Sequence, residues 1–247
     1  RDYKYWRLSK ITPYNTTDSK KKQVEKMFDS IAKRYDLLNH SLSFGIDYYW
    51  RRKAIKYLTN NPKTILDVAT GTADFAICAA KLKDVKITGI DISEGMVNIG
   101  KEKIKRKRLE GVIELQIADS ENLPFTENSF DAITAGFGVR NFENLEKGLS
   151  EMYRVLSKNG IAAILEPSKP KAFPLKQMYT IYFNHVLPLF GKLISKDNSA
   201  YTYLPNSVEA FPRGRDFINY LENAGFTSCN HIPLTLGIVD LYVAIKK

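Results

Sequence analysis

Short apolar runs alternate with segments of helical periodicity through the middle of the chain. Residues 64–69 (TILDVA), 85–90, 113–117, 130–135 and 161–165 are β-type runs. Between them, the apolar positions of residues 75–82, 96–108 and 145–156 fall at helical spacing. This alternation predicts βαβ units and a parallel sheet with both faces covered, joined by right-handed crossovers. Upstream, Val24, Met27, Phe28, Ile31 and Ala32 predict a helix over 20–35. A second helix is expected over 49–58, stopped by Asn60, Asn61 and Pro62. Asn159-Gly160 reads as a helix stop ahead of the fifth strand. After Glu166-Pro167 the alternation pauses, and residues 170–206, rich in Phe and Tyr, read as a helical insertion. One helix is expected over 207–224, ended by Gly225. Strands at 229–234 and 239–245 then lie close enough to pair as an antiparallel hairpin.

These elements account for a single domain over residues 20–247: a helical cap over 20–61, the sheet, and an aromatic lid over 170–206. Residues 1–19 are polar and read as a loose arm. The composition is that of a globular protein, 44% hydrophobic and 26% charged in 247 residues. Cys78 and Cys229 form no paired motif and the three histidines are scattered, so neither a disulfide framework nor a metal site is expected. No signal pattern is read at the N-terminus, and no apolar run is long enough to span a bilayer. A cytoplasmic protein fits, with peripheral contact at the inner face of a membrane. The net charge of +10 points to an acidic partner, either nucleic acid or an anionic membrane surface. Of these the membrane surface is favoured, because no nucleic-acid recognition signature accompanies the charge.

The chemistry concentrates where the first strand ends. Ligands of open α/β sheets bind at the carboxyl ends of the strands. Here the first turn is Asp67-Val-Ala-Thr-Gly71-Thr72-Ala-Asp74, and Asp91 follows Gly71 by 20 residues at the end of the second strand. A carboxylate at that place suits both hydroxyls of a ribose. A dinucleotide would want three glycines and an unobstructed positive helix N-terminus for its pyrophosphate. This turn has one glycine and is flanked by Asp67 and Asp74, which favours a cationic nucleoside without phosphate, namely S-adenosylmethionine. Asp74 is read either as part of that site or as a helix cap. Asp119 and Ser120 follow the third strand, where a carboxylate can accept from an adenine amino group. Gly136 and Gly138 follow the fourth and allow close approach of a ligand to the backbone. An NAD-dependent oxidoreductase and a methyltransferase acting on RNA or another small molecule are the alternatives.

The segments MFDSIAKRYDLLNHSLSFGIDYYWRRK, LDVATGTADFA, GIDISEGM, FDAITAGFGVRNF, LEPSKP and YTYLPNSVEAFP together resemble the demethylmenaquinone and ubiquinone-precursor C-methyltransferases. The resemblance covers about residues 20–247. It implies a Rossmann-like class I methyltransferase fold: α/β, with a seven-stranded, mostly parallel sheet whose last strand is antiparallel. It places S-adenosylmethionine contacts at Thr72, Asp91, Asp119, Ser120 and Gly136. The family's turn often carries glycine where Ala73 stands, and ubiquinone-type members often carry serine where Gly136 stands.

The reaction so implied is C-methylation of a reduced polyprenyl quinone precursor, with demethylmenaquinol the first choice. Its ring is expected among Tyr35, Asn39, Phe44 and Tyr201. Arg140 is expected to stabilise a hydroquinone oxyanion or to position a water acting as base, with a structural salt bridge as the alternative. The expected partners are the polyprenyl hydroquinone, an anionic membrane surface and a second copy of the chain.

Overall fold

The computed structural model describes residues 11–170, 172–182 and 199–247. Seven strands form one sheet: β1 (Thr64–Val68), β2 (Lys86–Asp91), β3 (Ile113–Ile117), β4 (Phe130–Gly136), β5 (Leu156–Pro167), β6 (Thr227–Leu234) and β7 (Val239–Ile245). Their order is β3-β2-β1-β4-β5-β7-β6. The strands from β3 to β5 pair in parallel, while β7 runs antiparallel to both β5 and β6. The order reverses at β1, whose neighbours are β2 and β4. That reversal opens a crevice at the carboxyl ends of these three strands.

Alternation along each strand divides the core between the two faces of the sheet. Helices α5 (Leu145–Val155) and α8 (Arg215–Asn223) cover one face, where Leu149, Met152, Phe217 and Leu221 meet Leu66, Ile133 and Ile164. Helices α2 (Asp47–Ile55), α3 (Asp74–Ala79) and α4 (Glu94–Arg106) cover the other, where Trp50, Phe75 and Val97 meet Ile65, Ala132 and Ala163.

The cap is α1 (Lys20–Leu42), which packs Val24, Met27, Ile31 and Ala32 against Met96 of α4 and Tyr203 of α7 (Ser199–Ala210). Ser19 caps α1 by accepting from the Lys22 amide at 3.3 Å. Asp29 fastens α1 to the start of α4, accepting from Ser93 Oγ at 2.6 Å and the Gly95 amide at 2.9 Å. Helix α6 (Leu175–Ile181) belongs to the insertion after β5.

The structure revises several boundaries. Helix α1 runs on to Leu42, through Asn39. The helix expected over 207–224 is two: α7 ends at Ala210, and Pro212 and Gly214 separate it from α8. Gly214 sits at φ 58°, ψ −125°, a conformation that a side chain would strain. Asn159-Gly160 stops no helix; α5 has already ended at Val155, and Asn159 bends within β5 at φ 62°. The inner end of the supposed loose arm is packed, with Ile11 against the core and the Tyr14 amide bonded to Gln23 Oε1 at 3.0 Å. Residues 1–10 and 183–198 lie outside the described residues.

Candidate active site

The turn after β1 is tightly wound. Ala69, Gly71 and Ala73 all take left-handed conformations, at φ 52°, 55° and 69°. For each alanine this costs about 1–2 kcal/mol, so the surroundings must enforce it. Asp67 does so from below. Its carboxylate is fully buried and accepts from Thr70 Oγ1 at 2.6 Å, Thr134 Oγ1 at 2.6 Å and the Ala76 amide at 3.1 Å. Burial pushes this carboxyl up to about 6, against the pull of its three donors. Asp67 therefore faces the underside of the turn and not the ligand side expected from sequence.

Above the turn is a small cavity of about 70 Å³, bordered by Gly71, Asp91, Ile92, Asp119, Ser120 and Gly136. Asp91 accepts from the Gly71 amide at 2.8 Å and the Ser93 amide at 2.9 Å, one on each oxygen. Burial raises its carboxyl above the ordinary value, and the backbone donors of Ser93, Gly71 and Ile92 oppose that rise. A carboxylate has about four acceptor positions, so Asp91 keeps capacity for a hydroxyl donor beside these amides. Asp119 Oδ1 accepts from the Glu121 amide at 2.9 Å, while Oδ2 pairs with Lys21 of α1 at 2.7 Å. Gly136 has a steric reason to be glycine: a Cβ there would stand 2.9 Å from Phe75 Cδ1. Asp91, Asp119, Glu121 and Glu143 line this cavity against the single cation Lys21 among the described residues. That donor set fits a cationic nucleoside and disfavours a phosphate.

Thr72 is not brought to this cavity. Its hydroxyl is buried against Asp36 Oδ1 at 2.5 Å and Lys103 Nζ at 3.2 Å. Lys103 also holds Asp36 Oδ2 at 2.7 Å and Asp74 Oδ1 at 2.5 Å. Asp74 is thus an ion-pair partner rather than a cap or a ligand to the nucleoside. An ammonium already occupies the cluster that Asp36, His40 and Asp74 form.

A second cavity, about 440 Å³, adjoins the first at Phe28, Tyr35 and Phe137, which line both. Its walls come from α1, α2, α6, α7 and the β6–β7 turn and are mostly apolar. Phe137 holds a left-handed conformation at φ 63°, rare for a bulky residue and typical of functional sites. Tyr35 bonds to Asn39, and burial pushes its hydroxyl up. Asn39 and Phe44 both line this cavity, Phe44 at its open rim.

Arg140 reaches the same cavity from the short helical turn Val139–Asn141 after β4. Its Nη1 donates to Glu166 Oε2 at 3.0 Å and to the Phe137 carbonyl, and its amide donates to Glu166 Oε1 at 3.2 Å. Arg140 Nε is buried and finds no partner among the described residues. The salt bridge left open as the alternative role is therefore present, yet it leaves one donor of the guanidinium unused. The side chain of Tyr201 lies outside the described residues. Two residues on, Tyr203 is buried and donates to Asn141 Oδ1 at 3.1 Å.

Sequence reasoning missed Glu166, Lys21 and the Asp47–Arg51 pair. Glu166 carried a usable signal, because it ends β5 beside the end of β4, where Arg140 follows. Asp47 and Arg51 stand four apart on α2, the spacing of a helical ion pair.

The topology and the crevice at β1 define a class I methyltransferase-like architecture. The crystal structure of a SAM-dependent methyltransferase from Aquifex aeolicus matches at TM-score 0.60 and 20% identity, covering 82% of this chain and 92% of that one. The [4+2]-cyclase SpnF matches at TM-score 0.56 and 18% identity, covering 91% and 95%, so the fold alone does not fix the chemistry. A family model narrows it. Residues 16–246 match the ubiE/COQ5 methyltransferase family, and the chain belongs to that family. The demethylmenaquinone methyltransferase of Bacteroides fragilis is 53% identical over 239 residues, covering 96% of this chain and 98% of the relative. That of Porphyromonas gingivalis is 44% identical over 240 residues, covering 96% and 98%. A ubiquinone/menaquinone biosynthesis C-methyltransferase of Geotalea daltonii is 47% identical over 230 residues, covering 92% and 97%. Membership decides between the open alternatives: the chain is a methyltransferase, not a nicotinamide oxidoreductase.

Proposed function

We propose that the small rim cavity binds S-adenosylmethionine and that the apolar cavity beside it receives the ring and proximal tail of a reduced polyprenyl quinone precursor, demethylmenaquinol first. When bound, the co-substrate supplies an electrophilic methyl group on a sulfonium. Asp91 takes the ribose hydroxyls; Asp119 and Ser120 face the adenine, and the glycine backbone at 136 passes close to the ligand.

Arg140 carries the reading. It is buried in the wall of a mostly apolar cavity and is fixed there by Glu166. Facing a ring oxygen, it stabilises the oxyanion left when a hydroxyl proton departs, and electron density then rises on the neighbouring ring carbon. The apolar walls keep water from the reacting atoms.

No helix among the described residues is long and apolar enough to cross a membrane. Phe44, Ile46 and Met178 line the large cavity and are exposed, and this supports peripheral contact with a bilayer that holds the substrate's tail. The test is incubation with methyl-labelled S-adenosylmethionine and a panel of reduced naphtho- and benzoquinone precursors. Label on a ring carbon of the naphthohydroquinone is expected; transfer to none of the panel overturns the reading.

A further inference from the structure

The large cavity holds a second buried guanidinium for which the proposed reaction has no task. Arg51 stands on α2 one turn after Asp47, and only 6% of it is exposed. Its Nη1 donates to Asp47 Oδ2 at 2.5 Å, and its guanidinium carbon lies 5.5 Å from the centre of the Phe137 ring. Its Nε, like that of Arg140, is buried without a partner among the described residues. Both arginines nevertheless line the cavity, and a charged group in a mostly apolar wall is costly unless a polar ligand meets it.

Arg51 is also held in place. Asp47 is itself buried and is engaged by Ser43 Oγ at 2.7 Å and His40 Nδ1 at 3.0 Å. Moving Arg51 away would leave a buried carboxylate short of its cation. Both arginines meet Phe137, one at its ring and the other at its carbonyl. Two guanidinium groups fixed around one residue of an apolar cavity match a ring that carries two oxygens.

We infer that Arg51 is the recognition point for the second ring oxygen of a para-dihydroxy aromatic, opposite the oxygen that Arg140 meets. This rests on the quinol reading above and adds to it how the ring is oriented. Arg140 addresses the hydroxyl beside the accepting carbon. Arg51 addresses the hydroxyl across the ring, which lies meta to that carbon and adds little to its nucleophilicity. Arg51 therefore acts on binding and orientation, and its loss reads out in KM more than in kcat.

Two substrates separate the roles: a short-chain demethylmenaquinol, and 3-prenyl-1-naphthol, which keeps the hydroxyl beside the accepting carbon and lacks the other. The wild type is expected to show a KM about tenfold higher for the naphthol, the scale of one charge-assisted hydrogen bond. Arg51→Met should raise the KM of the diol to the level of the naphthol and leave the naphthol's KM nearly unchanged. Arg51→Lys, which keeps a cation beside Asp47, should fall between. Calorimetric affinity for S-adenosylmethionine and the melting temperature report whether each variant folds, and the two-substrate comparison on the wild type decides even where Arg51→Met does not. Equal KM values for the two substrates on the wild type overturn the inference. So does an Arg51→Met variant that binds S-adenosylmethionine normally and is impaired equally on both. Should the wild type methylate neither compound, the quinol reading itself fails and this inference falls with it.

Discussion

The two adjoining cavities are built in opposite ways. The rim cavity is made mainly of strand ends and the turns that follow them, closed over by α1, and backbone amides within a few residues or across one strand pair fix Asp91 and one oxygen of Asp119. The larger cavity is assembled from helices and turns that lie far apart in the chain, from Met27 to Val239. Its polar groups are held by buried ion pairs, Arg140 with Glu166 and Arg51 with Asp47. The first construction suits a ligand whose shape is constant. The second suits one whose ring must be oriented while its tail is only kept dry. Changes in one cavity should therefore leave the other's ligand largely untouched.

Arg140→Ala tests this separation with the largest effect. Methyl transfer should fall by about 10³-fold, the loss seen when one oxyanion donor is removed, while calorimetric affinity for S-adenosylmethionine stays within about threefold. A variant with full activity would remove Arg140 from the mechanism.

Asp67 tests whether the turn is held from beneath. Its folded carboxyl titrates at about 6, above its ordinary 3.8. Folding therefore favours the protonated form. The stability it contributes is full below pH 3.8, and about 3 kcal/mol of it is lost as pH rises to about 6. Carboxyl-carbon NMR of Asp67 should show a midpoint near 6; one near 4 would place this carboxylate in contact with solvent.

Asp91→Ala should weaken S-adenosylmethionine binding by about 100-fold in calorimetry, two hydrogen bonds to a charged acceptor being lost. The melting temperature should change less, since Gly71 and Ser93 can turn their amides to water. Gly136→Ser brings a Cβ to 2.9 Å from Phe75 Cδ1. It should cost about 1–3 kcal/mol and be partly rescued by Phe75→Leu, both read as melting temperature. Ala73→Gly has the smallest effect. Relief of the left-handed alanine outweighs the added chain entropy, and stability should rise by about 0.5 kcal/mol.

The same contrast explains what the sequence revealed. Strands buried on both faces announce themselves as apolar runs, and β1, expected over 64–69, is found at Thr64–Val68 with Ile65 to Val68 all buried. Asp91, Asp119, Ser120, Gly71 and Gly136 were legible because the end of a strand fixes which way a residue faces. Thr72 was misplaced because a turn with three left-handed residues rotates its side chains in ways that spacing does not encode, and Asp67, still inside β1, is taken up beneath that turn by Thr70, Thr134 and the Ala76 amide. Arg140, Tyr35, Asn39 and Phe44 came from motif resemblance, and the fold brings all four to the large cavity. Glu166, Asp47 and Arg51 went unread, since a buried charge is recognised only when its partner, often distant in sequence, is known. The break between α7 and α8 was missed although Pro212 and Gly214 stand at it.

Of the proposed contacts, the one from Asp91 to the nucleoside sugar is the most decisive. A crystal structure of the protein with S-adenosylhomocysteine measures this directly. Both ribose hydroxyls should lie within about 3 Å of the Asp91 carboxylate, with the adenine beside Asp119 and Ser120. A ribose bound elsewhere, with Asp91 bonded to the Gly71 and Ser93 amides alone, would contradict it.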